Sequence, residues 1–128
     1  MKQDIATRND INTLVKEFYN KLFADDLLKE IFENTVATHL DKHLEKVADF
    51  WDGILLDANV YRGNVVEKHY DINKKFNLDK AAFNQWLQLW ITTIDELFVG
   101  ERAEMAKKRA QSIADIMHYK LEYVKNLS

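Results

Sequence analysis

Apolar residues recur every three or four positions along most of the chain, the spacing of amphipathic helices, and few stretches alternate as a half-buried strand would. Ile11, Leu14, Val15, Phe18 and Leu22 predict a first helix that starts near Asn9 or Asp10, behind a Thr7 to Asp10 cap. Asp25 and Asp26 break that stripe after Ala24, and Leu27, Leu28, Ile31 and Phe32 predict a shorter helical piece. A third helix, with Thr38 as its N-cap, runs to about Leu56 and gathers Leu40, His43, Leu44, Val47, Phe50, Trp51, Ile54 and Leu55 on one side. A loop over about Asp57 to Gly63 leads to a short segment in which Val65 and Val66 lie four and three residues before His69, on the same side of any helix there. Asn73-Lys74-Lys75 reads as irregular. A long helix from about Asp79 to Val99 then turns Phe83, Trp86, Leu87, Trp90, Ile91, Ile94 and Leu97 inward, with Gly100 as its stop. The last helix, from near Glu101 to about Lys125, has an inward stripe of Met105, Ile113, Met117, Leu121 and Val124.

Composition sharpens the fold class. Proline is absent and glycine occurs only at Gly53, Gly63 and Gly100, so little interrupts the helices and an all-α fold is expected. At 128 residues, 47% of them hydrophobic, residues 1–128 are expected to form one domain with a core that needs no disulfide or structural metal. A net charge of −3 and a broken basic run at Lys107-Lys108-Arg109 give no reason to expect nucleic acid. No apolar stretch approaches a membrane span, and Met1-Lys2-Gln3-Asp4 leads into polar sequence, so a cytoplasmic location is the expectation. A monomer is expected as well, because no self-complementary surface is evident.

The chemistry is narrowed mainly by what is missing. Without cysteine there is no disulfide framework, thiolate nucleophile or cysteine metal site. Ser112 and Ser128 lack a nucleophile-elbow context, and no glycine-rich phosphate loop occurs. His39 and His43 share i, i+4 spacing, but with no third ligand and Asp41 on another face they read as a chance match more than a zinc site. A single imidazole suffices for haem iron, since the porphyrin supplies four nitrogens. His43, core-facing, and His69, in a different helical setting, are candidates for opposite faces of one flat cofactor. On spacing alone His69 reads as a surface histidine, Tyr19 and Trp86 as core aromatics, and His39 and His118 as ordinary surface or edge residues.

Phe18-Tyr19, then Phe32, His43 with Phe50-Trp51, Lys68-His69, and Trp86 in the next long helix form an ordered set that resembles the truncated haemoglobins, group III most of all. The resemblance runs from about Ile11 to Leu121. The absence of Gly-Gly pairs at the bends agrees with group III, whereas Asn73-Lys74-Lys75 stands where relatives often carry prolines. It implies a truncated globin, a two-over-two helical sandwich around haem b, with His69 as the iron ligand and its second ring nitrogen held by a carbonyl such as that of Val65 or Val66. Tyr19, His43 and Trp86 match the distal positions. Phe32, Val47, Phe50, Trp51 and Phe76 become cofactor walls, and Lys46, with Lys68 and Arg62, becomes a partner for the propionates.

The implied function is binding of oxygen, nitric oxide and carbon monoxide at ferrous iron. A polar distal side suits reactions of nitric oxide or peroxide, supported by an unidentified reductase, better than oxygen delivery. Two rival readings stay open: an oxygen storage or sensing module without turnover, and a haem-free helical interaction domain marked by an exposed apolar patch.

Overall fold

In a computed structural model that describes residues 2–35, 39–56 and 80–127, five helices form among the described residues: α1 (Arg8–Ala24), α2 (Lys29–Thr35), α3 (Leu40–Leu55), α4 (Lys80–Leu97) and α5 (Glu101–Leu127). The expected cap opens α1. Thr7 Oγ1 accepts the Asp10 amide at 3.2 Å, and Asp10 Oδ2 accepts the Thr7 amide at 3.1 Å, a reciprocal capping box that starts the helix at Arg8. Asp25 ends α1 in an extended conformation, and its carboxylate turns the corner: Oδ2 accepts the amides of Leu27 and Leu28 at 3.0 Å each, while Oδ1 accepts Gln85 Nε2 of α4 at 2.7 Å. The residue that broke the sequence stripe is therefore a joint between three helices. At α3 the N-cap position belongs to His39, whose side chain makes no capping bond, rather than to Thr38, which lies outside the described residues.

Helix α1 packs on α3 and on α4, α4 packs on α5, and α5 closes back on α3. The four long helices thus form two stacked pairs, α1/α3 and α4/α5. Trp90 of α4 sits where they meet, only 1% exposed. Its ring stacks on Trp51 of α3 (centroids 4.7 Å apart, planes at 24°), meets Phe18 of α1 edge-on at 5.0 Å, and donates its indole N–H to the Ala106 carbonyl of α5 at 3.2 Å.

That last contact explains a correction to the expected face of α5. The buried stripe is Ala103, Ala106, Ala110 and Ala114 with Met117, and Met105 is 42% exposed. Alanines let the α5 backbone come close enough for an indole to reach a carbonyl, which bulkier side chains would prevent. A stripe of alanines carries little hydrophobic contrast in sequence, so Met105 wrongly draws the inward assignment. Ile113 is half-buried, and the side chains of Leu121 and Val124 lie outside the described residues. On α4, Phe83, Leu87, Trp90 and Ile94 are buried and Trp86, Ile91 and Leu97 partly so. Among the described residues no helix is long and apolar enough to cross a membrane.

Two polar clamps fix the helix ends. Arg8 reaches from α1 to Asp49 (2.6 Å) and Asp52 (2.9 Å) of α3, and so compensates an Asp52 that is buried. The N-terminal segment lies beside the α4–α5 corner, where the Val99 amide donates to the Gln3 carbonyl at 3.0 Å. This ends α4 at Leu97 instead of Val99. Asp4 accepts the amides of Ile5, Arg102 and Ala103, each at 2.9 Å, capping α5 from a distant part of the chain. Gly100 makes the approach possible: its φ is +144°, and a Cβ there would come within 2.7 Å of Asp4 Oδ2.

Burial alone would raise the Asp4 carboxyl, but the three amide bonds and the Arg102 charge outweigh it and hold the group below its ordinary value. A depressed folded-state pKa contributes stability above the ordinary aspartate pKa and loses it as pH falls through the folded-state value. Asp4→Ala should therefore cost about 1–2 kcal/mol in urea unfolding near neutral pH, and the deficit should close in acid. A deficit that is the same at both pH values would remove the cap from this account.

Candidate functional site

Adjacent positions on a helix point about 100° apart, and Phe18 and Tyr19 use that angle to join the core to a polar site. Phe18 turns to Trp90, while Tyr19 turns to α2 and α3. The Tyr19 hydroxyl lies 2.6 Å from His43 Nε2 of α3. Around the phenol ring stand Phe32 of α2, edge-on at 6.0 Å, Phe23 of the same helix at 6.3 Å, the His43 ring at 5.3 Å and Phe18 at 5.5 Å. Tyr19 is 6% exposed. That burial pushes its phenol far above the usual value, so the hydroxyl keeps its proton at any physiological pH.

Tyr19 Oη has one proton and His43 Nε2 one site in this bond, so their roles are coupled. When Nε2 carries hydrogen it donates to Oη, and the phenol hydrogen can turn elsewhere. When Nε2 is bare it accepts the phenol hydrogen instead. Trp86 of α4 joins the same neighbourhood through Phe18, whose ring it meets edge-on at 5.9 Å. Its indole N–H can only donate. The three positions expected on the distal side therefore fall on three helices, and the ring of Phe18 touches two of them.

Of the expected wall residues, Phe32 is buried against Tyr19, and Val47 and Phe50 are half-buried on α3. Trp51 lies in the core, stacked on Trp90 and edge-on to Phe50. Lys46 is exposed. His69, Lys68 and Phe76, with Arg62, Val65 and Val66, lie outside the described residues. His39 is exposed at the start of α3, and His118 meets Phe83 edge-on at 5.8 Å on the α4/α5 side. Among the described residues no group of three or more His, Cys, Asp or Glu side chains converges as a metal site.

The side chains present fit a haem pocket in their chemistry. A phenol, an imidazole and an indole supply hydrogen bonds, and Phe32 and Phe23 around the phenol supply apolar wall. Sequence reasoning missed the linking role of Phe18 and the part of Phe23, although Phe23 stands four residues after Tyr19 on the same face. It also missed the Arg8 clamp, whose trace is the i, i+3 pair Asp49 and Asp52 on α3.

No sequence-family model matches the chain. A group 3 truncated hemoglobin of Campylobacter jejuni is 30% identical to it over 117 residues, which cover 89% of this chain and 90% of that protein. A group 1 truncated hemoglobin of Tetrahymena thermophila is 33% identical over 93 residues, covering 72% and 71% of the two chains. The crystal structure of the group III truncated hemoglobin from Campylobacter jejuni matches the fold with a TM-score of 0.84 at 29% identity, over 94% of this chain and 95% of that one. The chain belongs to the truncated haemoglobin family, whose two-over-two sandwich is formed here by α1/α3 and α4/α5. Its likeness in sequence and in structure is to group III. Membership carries a haem cofactor and diatomic gas binding at the level of the family.

The burial of Tyr19 gives a test in alkali. Because its folded-state pKa is raised, its contribution to stability is complete below the ordinary tyrosine value of 10.0 and is lost as pH rises beyond it. Among the five tyrosines, Tyr19 should ionise last, together with loss of helical circular dichroism, and Tyr19→Phe should remove that final step. Complete phenolate formation with the helices intact would show that Tyr19 is not sequestered.

Proposed function

We propose that the protein is a b-type haem protein that binds oxygen and other diatomic ligands at an iron held by His69, and that its distal side favours reaction with nitric oxide or peroxide over release. Haem supplies the ferrous iron at which a diatomic gas binds. The observation that carries the reading is the 2.6 Å contact between Tyr19 and His43 inside an aromatic enclosure.

Burial keeps the Tyr19 hydroxyl protonated and excludes the water that would compete for it. His43 positions that hydrogen: an Nε2–H donated to Tyr19 Oη leaves the phenol hydrogen to the ligand. Trp86 adds a donor that cannot accept. Each donor is worth roughly 1–2 kcal/mol to a ligand with developing negative charge, and each 1.4 kcal/mol is about tenfold in affinity. Together they slow release by roughly 30- to 1,000-fold, which suits turnover more than delivery. Lys46 and Lys68 neutralise the propionates, and repeated turnover calls for an external reductase.

Protein expressed with adequate haem should show a Soret band, and His69→Ala should lose it or weaken it greatly. A colourless, stable wild type would remove the haem reading. Stopped-flow mixing of the oxygenated protein with nitric oxide, and of the ferric protein with peroxide, should give turnover faster than free haem. Rates equal to those of free haem would leave binding without catalysis.

A further inference from the structure

The outer face of α5 carries a pattern that the haem site does not use. Met105, Arg109, Ser112, Ile116 and Tyr119 follow one another at alternating intervals of four and three residues, the spacing of a helix–helix seam, on the side away from the buried alanines. All five are exposed, with Ile116 at 51% and Tyr119 at 73%. Met105, Ile116 and Tyr119 put three exposed large apolar side chains on one face of one helix, with Arg109 and Ser112 between them, and such a grouping marks a contact surface more than scattered residues do. A groove of about 760 Å³ runs along the first half of this face, lined by Val99, Met105, Lys108, Arg109 and Ser112 among others. The row therefore has a hollow at one end and a protruding tyrosine ring at the other.

In place of the monomer expected from the sequence, we infer that this face binds a second copy of the chain, α5 against α5 in antiparallel order, crossing at Ser112. A two-fold contact requires that residue i meet residue j and j meet i. Met105 and Tyr119 lie seven residues either side of Ser112, about 10 Å along the helix axis in each direction. The tyrosine of each copy thus arrives at the groove of the other. Lys108 stands four residues before Ser112 and Asp115 three after, both on the same flank of the row, so each lysine meets the second copy's aspartate. Asp115 Oδ1 accepts Gln111 Nε2 at 3.1 Å, which leaves the second carboxylate oxygen to that lysine. On the other flank the Arg109 stem lies along the second copy's Ile116. Ser112, the smallest of the row, allows close approach at the crossing. The Lys108–Asp115 pairing and the spacing of Met105 and Tyr119 about Ser112 agree on one register.

Sedimentation equilibrium of the haem-loaded protein tests this over a range of concentrations. The wild type should pass from 15.1 kDa to twice that mass with a dissociation constant on the order of 10 µM. Lys108→Glu or Asp115→Lys alone should weaken association at least about tenfold, because each copy then places like charges together at two sites. The double variant Lys108→Glu/Asp115→Lys should return to within about threefold of the wild type. Tyr119→Lys should abolish the dimer while helical circular dichroism and the Soret band stay unchanged. A wild type that remains at 15.1 kDa throughout would overturn the proposal and leave the face to a partner of different sequence. A double variant no tighter than the single ones would overturn it too.

Discussion

A buried indole needs apolar contact for its rings and an acceptor for its N–H, and Trp90 finds both only where all four long helices come together. Phe18 approaches it from α1, Trp51 from α3, and the Ala106 carbonyl from α5. Each contact restricts the helix that makes it. Helix α5 must present alanines to come near enough, α3 must lay Trp51 flat against Trp90 of α4, and α1 must direct Phe18 between them. The angle and register of both helix pairs follow from one side chain and its single donor.

The Tyr19–His43 contact depends on that arrangement. With Phe18 fixed on Trp90, the next residue of α1 is turned toward α2 and α3, which puts Tyr19 against Phe32 and its hydroxyl on His43. With α4 fixed by Trp90, the preceding turn brings Trp86 onto the other edge of Phe18. Polar groups from three helices thus meet across an aromatic wall. Enclosure raises the cost of any unpaired hydrogen-bonding group, so the Tyr19–His43 contact is held in a narrow geometry. The Asp25 joint ties the end of α1 to α4, and the Arg8 clamp ties its start to α3.

Periodicity made the long helices legible, since their burial repeats every three to four residues, and the Thr7 to Asp10 box marked the start of α1. On α5 it found Met117 and the half-buried Ile113 but placed Met105 inward, because most of the buried face is made of alanines. It also placed a cap at Thr38 where His39 holds the position, because a helix whose first turn has no side-chain cap leaves no signature in sequence. The site was legible as a list of aromatic and histidine positions in order, yet no rule of spacing within one helix tells that Tyr19 and His43 touch. That contact is made by packing between helices. His69 itself was named only from the resemblance in sequence, and it lies outside the described residues.

In the proposed function the buried Tyr19 hydroxyl, oriented by His43, donates to the gas bound at the iron. The infrared C–O stretch of the carbon monoxide complex responds directly to such a donor, since a hydrogen bond to the ligand lowers the stretching frequency. The wild type should show a low-frequency band that moves upward in Tyr19→Phe. A band at the same position in both proteins would contradict that donation.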